Sequence, residues 1–109
     1  MNIAICDNDS IYRDQVRKVV EHYAATHSAA DISLSVFEWA EDLLEAARRQ
    51  GGYDIYILDI LMPGMNGIEL GVELRKRGYD GKIIYLTSSE EYAIESFKAR
   101  PFHYILKPF

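Results

Sequence analysis

The chain has 109 residues, of which 49% are hydrophobic and 27% are charged, as in a globular domain with one core. Its formal net charge of -5 argues against direct binding of nucleic acid, which needs a clustered basic surface. The single cysteine, Cys6, excludes an internal disulfide, fits a reducing cytosol and is expected to be buried. We find no secretion signal and no apolar stretch of about 20 residues. We therefore expect one cytoplasmic domain without a membrane segment.

Apolar runs and helical periodicity predict strands that alternate with helices along the chain. The predicted strands cover residues 1–6, 32–36, 55–58, 82–86 and 102–106, and the predicted helices cover 10–26, 40–50, 66–77 and 88–100. The second strand alternates between apolar and polar residues, which is typical of an edge strand. The order of strand and helix, repeated four times and closed by a strand, indicates an α/β fold with right-handed crossovers and a parallel sheet.

Two of the predicted helices depend on capping signals. In the third helix the apolar residues alternate as in a strand, but Asn66 and Glu69 have capping-box spacing and Gly78 supplies a stop. The fourth helix is expected to begin at a second capping-box pattern in residues 88–91. We expect this helix to bury Ala93, Ile94 and Phe97.

Four of the apolar runs end in a polar side chain. These side chains are Asp7, Asp59, Thr87 and Lys107. Parallel strands end at a common edge of the sheet, and ligand sites of open α/β sheets lie at that edge. We therefore expect two carboxylates, a hydroxyl and an ammonium to converge there.

These strand ends lie in four spaced motifs. The motifs are Cys6-Asp7-Asn8-Asp9, Leu58-Asp59-Ile60-Leu61-Met62-Pro63-Gly64-Met65-Asn66-Gly67, Leu86-Thr87-Ser88 and Tyr104-Ile105-Leu106-Lys107-Pro108-Phe109. Together they resemble the receiver domain of two-component response regulators over residues 1–109. The stretch 87–97, followed by Pro101-Phe102-His103-Tyr104, is most similar to regulators whose receiver is fused to a LytTR-type DNA-binding domain.

The resemblance implies a flavodoxin-like (βα)5 fold with strand order 2-1-3-4-5. In such a fold a fifth helix would follow Phe109, so we expect the receiver domain of residues 1–109 to stop before its last helix. The apolar face that this helix covers would then be exposed. An exposed apolar face of this kind invites pairing of two chains into a homodimer.

The resemblance also implies a chemistry for the strand ends. Asp59 would accept a phosphoryl group from a sensor histidine kinase, with Mg²⁺ as cofactor. Lys107 would balance charge on the phosphoryl oxygens, and Thr87 would donate a hydrogen bond to one of them. The expected metal ligands are Asp7, Asn8, Asp59 and, through its backbone carbonyl, Leu61.

Tyr104 occupies the position of the switch aromatic in receivers. Phosphorylation would draw Thr87 toward the phosphoryl group, and Tyr104 would rotate into the vacated space. The surface of the fourth helix and fifth strand would then control an output, expected to be a DNA-binding domain outside this chain. The chain itself would not be an enzyme. The resemblance also implies a cis peptide between Lys107 and Pro108.

Asn8 departs from the receiver pattern, which usually has an acidic residue at this position as a direct metal ligand. We expect weaker affinity for Mg²⁺ unless Asp9 supplies the missing carboxylate. This departure leaves open a second interpretation, a pseudo-receiver that binds a partner without being phosphorylated.

A third interpretation is a fragment of a haloacid-dehalogenase-like phosphatase, because Asp7-Asn8-Asp9 also fits the first motif of that group. Asp7 would then be the nucleophile. This alternative leaves Asp59 and the loop after it without a role, and the late acidic motif of that group is missing from the sequence.

Overall fold

The structure is a computed structural model that describes residues 1–27 and 31–108. Phe109, where the predicted domain ends, lies outside the described residues. The strands are β1 Asn2–Cys6, β2 Ser33–Phe37, β3 Ile55–Leu58, β4 Lys82–Thr87 and β5 His103–Leu106. The helices are α1 Ser10–Thr26, α2 Ala40–Gln50, α3 Gly67–Lys76 and α4 Ala93–Ser96, which continues into one 3₁₀ turn, Phe97–Ala99.

The described strands form one parallel sheet in the order β2-β1-β3-β4-β5, which confirms the predicted fold. β2 lies at the edge, as its alternating sequence predicts. Cys6 at the end of β1 pairs with Leu58 at the end of β3, and Leu58 pairs with Tyr85 in β4. This register brings the carboxyl ends of the central strands to one edge of the sheet.

The main core lies between the sheet and helices α2 and α3. Its largest fully buried side chains include Tyr56 and Tyr85. Cys6 is also buried there, and burial together with the nearby Asp7 carboxylate raises the pKa of its thiol to about 12. The thiol is therefore protonated at neutral pH and packs as a small apolar group, as predicted. None of the helices in the described ranges has the length and hydropathy to cross a membrane.

Helix α3 forms as the capping signals predict, although its apolar residues alternate as in a strand. The Asn66 side chain accepts from the Glu69 amide at 2.9 Å, and the Glu69 side chain accepts from the Asn66 amide at 3.0 Å. Gly78, just after the helix, has a φ of 84°, which a residue without a Cβ adopts readily. Local capping therefore overrides the period-two pattern here.

The prediction for the fourth helix is wrong in both its length and its buried face. Only Ala93–Ser96 and the following 3₁₀ turn are helical, and the pattern in residues 88–91 forms no capping box. Ile94 and Phe97 are 82% and 72% exposed, whereas the small residues Ser96 and Ala99 are buried. The face that meets α3 is a close contact. A Cβ added at Gly71 of α3 would lie only 2.9 Å from the Ala99 Cβ, so a small residue is required where the 3₁₀ turn packs on α3.

Arg75 of α3 joins the helix to the segments on either side of β4. Its guanidinium donates to the carbonyls of Ala99 and Gly81, each at 2.7 Å, of Tyr79 at 2.9 Å and of Arg100 at 3.2 Å. The planar fork of donors suits this set of carbonyls better than an ammonium would. Arg75 thus fixes the 3₁₀ turn against α3.

We predict that Arg75→Met lowers the free energy of unfolding by about 2 kcal/mol, because hydrogen bonds to a charged group contribute roughly 1.5–3 kcal/mol. The variant keeps the aliphatic stem and removes every guanidinium donor. Arg77→Met at the C-cap of the same helix is the control, since the Arg77 side chain forms an exposed ion pair with Glu73 at 3.0 Å. The control should lose about 0.5 kcal/mol or less. Urea unfolding measures both variants, and equal losses would contradict the assignment.

Candidate functional site

Backbone hydrogen bonds extend the sheet just beyond its strands and carry the predicted polar residues to its edge. The Asp59 amide donates to the Cys6 carbonyl at 2.9 Å, and the Lys107 amide donates to the Thr87 carbonyl at 2.8 Å. Asp7 directly follows β1. The main chain at these positions is therefore held by the sheet rather than by mobile loops, and the side chains start from fixed points.

The ammonium of Lys107 lies between the two carboxylates. Its Nζ is 2.8 Å from Asp7 Oδ2 and 3.4 Å from Asp59 Oδ2. The three side chains are only 5–7% exposed, so water screens their charges weakly. One positive charge faces two negative charges, which leaves a formal charge of minus one in a buried place.

Each carboxylate also has a backbone partner on its other oxygen. Asp7 Oδ1 accepts from the Asp9 amide at 2.9 Å, and Asp59 Oδ1 accepts from the Ile60 amide at 2.8 Å. Burial raises the pKa of Asp7, and the hydrogen bonds from Lys107 and from the Asp9 amide partly offset that rise. The longest of these four contacts is the one from Lys107 to Asp59 Oδ2, which is therefore the most weakly held carboxylate oxygen.

The loop after Asp59 folds back tightly onto the site. The Gly67 amide, at the start of α3, donates to the Ile60 carbonyl at 2.9 Å. A Cβ at Gly67 would lie 1.9 Å from the Asp59 carbonyl oxygen, so no larger residue fits this position without a backbone shift. The predicted loop therefore needs Gly67 for a close approach of α3 to Asp59.

Thr87 and Tyr104 meet at the backbone of Ser89. Thr87 is fully buried at the end of β4, and its hydroxyl accepts from the Ser89 amide at 3.4 Å. The hydroxyl of Tyr104 donates to the Ser89 carbonyl, and its ring packs against Tyr85 with the ring centroids 6.2 Å apart. Burial raises the pKa of Tyr104 above its usual value. The structure thus couples both residues to one loop, the connection between β4 and α4.

The remaining predicted residues lie at the rim of the site. Asn8 is exposed, and the Leu61 side chain is 45% exposed. Asp9 caps α1, because its Oδ1 accepts from the Ile11 amide at 3.0 Å. The peptide between Lys107 and Pro108 is cis, as the sequence resemblance implies.

The carboxylate oxygens of Asp7 and Asp59 are of the kind that bind a hard divalent cation. In the part of the chain that the structure describes, no three His, Cys, Asp or Glu side chains form a complete metal site. Mg²⁺ needs only one or two carboxylates, because it completes its shell with phosphate oxygens and waters. The unbalanced charge on Asp7 and Asp59 also favours a cation. The residues present therefore fit Mg²⁺.

Sequence reasoning missed two residues of α1 that contact the site. The ring centroid of Tyr12 lies 4.3 Å from Lys107 Nζ, and Arg13 Nη1 donates to the Asp7 carbonyl at 2.7 Å. Tyr12 lies four residues before the buried Val16, a spacing that indicates one apolar stripe of α1, and its half-buried position agrees with that pattern. The signal that could have found it is its place in the first helical turn, directly after the acidic loop.

Comparisons with known proteins agree with this arrangement. The family model of the response regulator receiver domain matches residues 3–109. A positive alginate biosynthesis regulatory protein of Pseudomonas aeruginosa is 29% identical over 108 residues, which are 99% of this chain and 42% of that protein. A transcriptional regulatory protein LytR of Staphylococcus aureus is 42% identical over 57 residues, which are 52% of this chain and 23% of that protein. This chain therefore spans less than half the length of either relative.

A solved structure also supports membership of this family. Response regulator TrrA of Thermotoga maritima, in complex with Mg²⁺ and BeF, superimposes with a TM-score of 0.79 at 29% identity. The match covers 99% of this chain and 87% of that one. The LytR-type relatives also confirm the relationship that the last sequence motifs indicate. With strand order, site geometry and family model in agreement, this chain belongs to the response regulator receiver domain family.

Proposed function

We propose that Asp59 accepts a phosphoryl group from the phosphohistidine of a sensor histidine kinase in the cytoplasm. The observation that carries this proposal is the buried Lys107 ammonium, which lies between Asp7 and Asp59 at the end of the sheet. The transferred group is then an acyl phosphate on the receiver itself. The chain would act as the phosphoacceptor of the kinase and not as an enzyme with its own substrate.

The hydrogen bonds favour Asp59 over Asp7 as the nucleophile. Asp59 Oδ2 has its Lys107 contact at 3.4 Å, whereas Asp7 Oδ2 has one at 2.8 Å. An oxygen that is weakly held keeps a lone pair available for attack on phosphorus. Asp59 Oδ2 would form the new bond to phosphorus as the bond to the imidazole nitrogen breaks. Lys107 would turn to the phosphoryl oxygens, and Thr87 would donate to one of them.

We propose Mg²⁺ as the cofactor, held by Asp7, Asn8, Asp59 and the backbone carbonyl of Leu61. The fit of the two buried carboxylates supports this set. The bound ion would offset the negative charge that gathers on the transferring oxygens. Asn8 offers an amide oxygen without a charge. Asn8 is also exposed beside the buried pair, where it is free to turn toward an ion.

We propose that the phosphorylated state is read on the surface formed by α4 and β5. Ile94, Phe97 and Phe102 are exposed large side chains in this region. Thr87 and Tyr104 both contact Ser89, so a movement of Thr87 would reach Tyr104 through one loop. The rotation of Tyr104 stays a prediction. The output would be a DNA-binding domain outside this chain, as the LytR-type relatives suggest.

Pairing of two chains also stays a prediction. Between α1 and β5 lies an apolar groove of about 250 Å³ whose lining includes Val16, Val19 and Ile105. The sequence leads us to expect an exposed apolar face that pairs two chains, and this groove is the candidate for that face. The phosphatase alternative has no support from the site, because Asp7 has both oxygens in short hydrogen bonds.

The proposed phosphoryl acceptor can be tested by substitution. We expect acetyl phosphate with Mg²⁺ to form an acyl phosphate on the wild-type protein and none on Asp59→Asn, because the amide cannot attack phosphorus. Asp54→Asn is the control, since Asp54 lies just before β3, at the opposite end from Asp59, where it accepts from the Asn2 amide. Peptide mapping after borohydride reduction locates the group. A label on Asp7 would instead support the phosphatase, and no label with any donor would support the pseudo-receiver.

The proposed role of Asn8 in binding Mg²⁺ can also be tested by substitution. We expect Asn8→Asp to bind Mg²⁺ about tenfold more tightly, because each added carboxylate strengthens a site for a hard cation. Asn2→Asp adds the same charge at the other end of β1 and should leave the affinity unchanged. A Mg²⁺ titration followed by amide NMR shifts of Asp7 and Asp59 measures the affinity. The same affinity in Asn8→Asp and wild type would remove Asn8 from the ligand set.

A further inference from the structure

We propose that Tyr12 is a positioning residue for Lys107, whose ammonium it holds at the phosphorylation site through the face of its ring. The inference rests on the proposed function, because it concerns the same site. It adds a residue of α1 to a site otherwise built from strand ends and the loops that follow them.

The contacts around Lys107 Nζ come from different elements. The carboxylates of Asp7 and Asp59 lie at 2.8 Å and 3.4 Å, and the Tyr12 ring centroid lies at 4.3 Å. A cation within about 6 Å of a ring centroid is attracted by the negative face of the ring. The attraction is strongest where water is excluded, and the Lys107 side chain is only 5% exposed. The ring of Tyr12 therefore adds an attraction to the buried ammonium that comes from α1 and not from the strand ends.

The chemistry of the site explains why a ring suits this position better than a third acid. The site already has one more negative than positive charge, and a phosphoryl group on Asp59 would add further negative charge. A third carboxylate would oppose that arrival. An aromatic face attracts the ammonium and carries no net charge. Tyr12 can thus hold the Lys107 ammonium in place without adding a negative charge that would repel the phosphoryl oxygens.

Local structure places Tyr12 at the site. The Asp9 cap starts α1 at Ser10, so Tyr12 lies in the first turn. Side chains of a helix lean toward its N-terminus, which here is the end beside the strand tips. Arg13 Nη1 donates to the Asp7 carbonyl at 2.7 Å and fixes this turn against the loop after β1. The position of the ring is therefore set by two contacts that do not involve Lys107.

The test compares Tyr12→Leu with Tyr12→Phe. Leu keeps an apolar side chain but has no ring, whereas Phe keeps the ring and loses only the hydroxyl. We expect Tyr12→Leu to bind beryllofluoride with Mg²⁺ about threefold to tenfold more weakly than wild type, and Tyr12→Phe to bind within about twofold of it. Tyr23→Leu is the matched control, since Tyr23 lies near the far end of the same helix and stacks on His27. Thermal unfolding of each variant confirms that it is folded.

A second readout follows Lys107 directly, without the phosphoryl mimic. The ring should shift the NMR signals of the Lys107 ε-methylene protons upfield in wild type and in Tyr12→Phe, and the shift should vanish in Tyr12→Leu. A Tyr12 ring that does not lie over Lys107 would leave these signals the same in all three proteins. The chain has five lysines, at 18, 76, 82, 98 and 107, so one replacement of each assigns the spectrum.

The two hypotheses fail in different ways. If wild type binds beryllofluoride and Tyr12→Leu binds it equally well, or if the upfield shift is absent from wild type, the positioning role is wrong and the proposed function stands. If wild type binds no beryllofluoride, the proposed function fails and the role of Tyr12 in phosphorylation fails with it. If Tyr12→Leu binds beryllofluoride more weakly and Tyr12→Phe binds it about as tightly as wild type, both the positioning role and the proposed function are supported.

Discussion

One ammonium shared by two buried carboxylates is the interaction on which the rest of this structure depends. Burying charges is costly unless they are paired and hydrogen-bonded, and each carboxylate here has both a backbone amide and Lys107 as partners. The pairing is incomplete, because one negative charge is left over. Burial raises the pKa of Asp7, and the nearby Asp59 carboxylate adds to that rise. The excess negative charge would favour a bound cation. Under the proposed function, the same imbalance that opposes stability would prepare the site for Mg²⁺ and a phosphoryl group.

Of the two helices that flank β4 in sequence, α3 is held by more contacts than α4. On the side of α3, the capping box, the close approach of Gly67 to Asp59 and the carbonyl contacts of Arg75 fix the helix. On the side of α4, the helix is one turn long and its large side chains face solvent. Segments with few buried apolar contacts open at lower free energy than core elements do. A change at Thr87 would therefore be transmitted toward α4 and β5 more easily than toward α3.

Much of the fold and the site could be predicted from the sequence, because both follow from where apolar runs end. Asp7, Asp59 and Lys107 meet as predicted, since parallel strands in a fixed order deliver their final residues to one edge. The fourth helix could not be predicted, because its buried face depends on the space beside Gly71 rather than on its own periodicity. Tyr12 was missed for a similar reason. A ring in an apolar stripe gives no sign that an ammonium from a residue ninety-five positions later lies over its face.

The central claim is that Lys107 serves both carboxylates in the resting site and turns to the phosphoryl group when one is present. A crystal structure of the protein with Mg²⁺ and beryllofluoride tests this most directly. We expect beryllium on Asp59 and Lys107 Nζ within hydrogen-bond distance of a fluoride, with the contact to Asp7 lengthened beyond its present 2.8 Å. A complex in which Lys107 still bonds to Asp7 and leaves the fluorides without its ammonium would contradict the account.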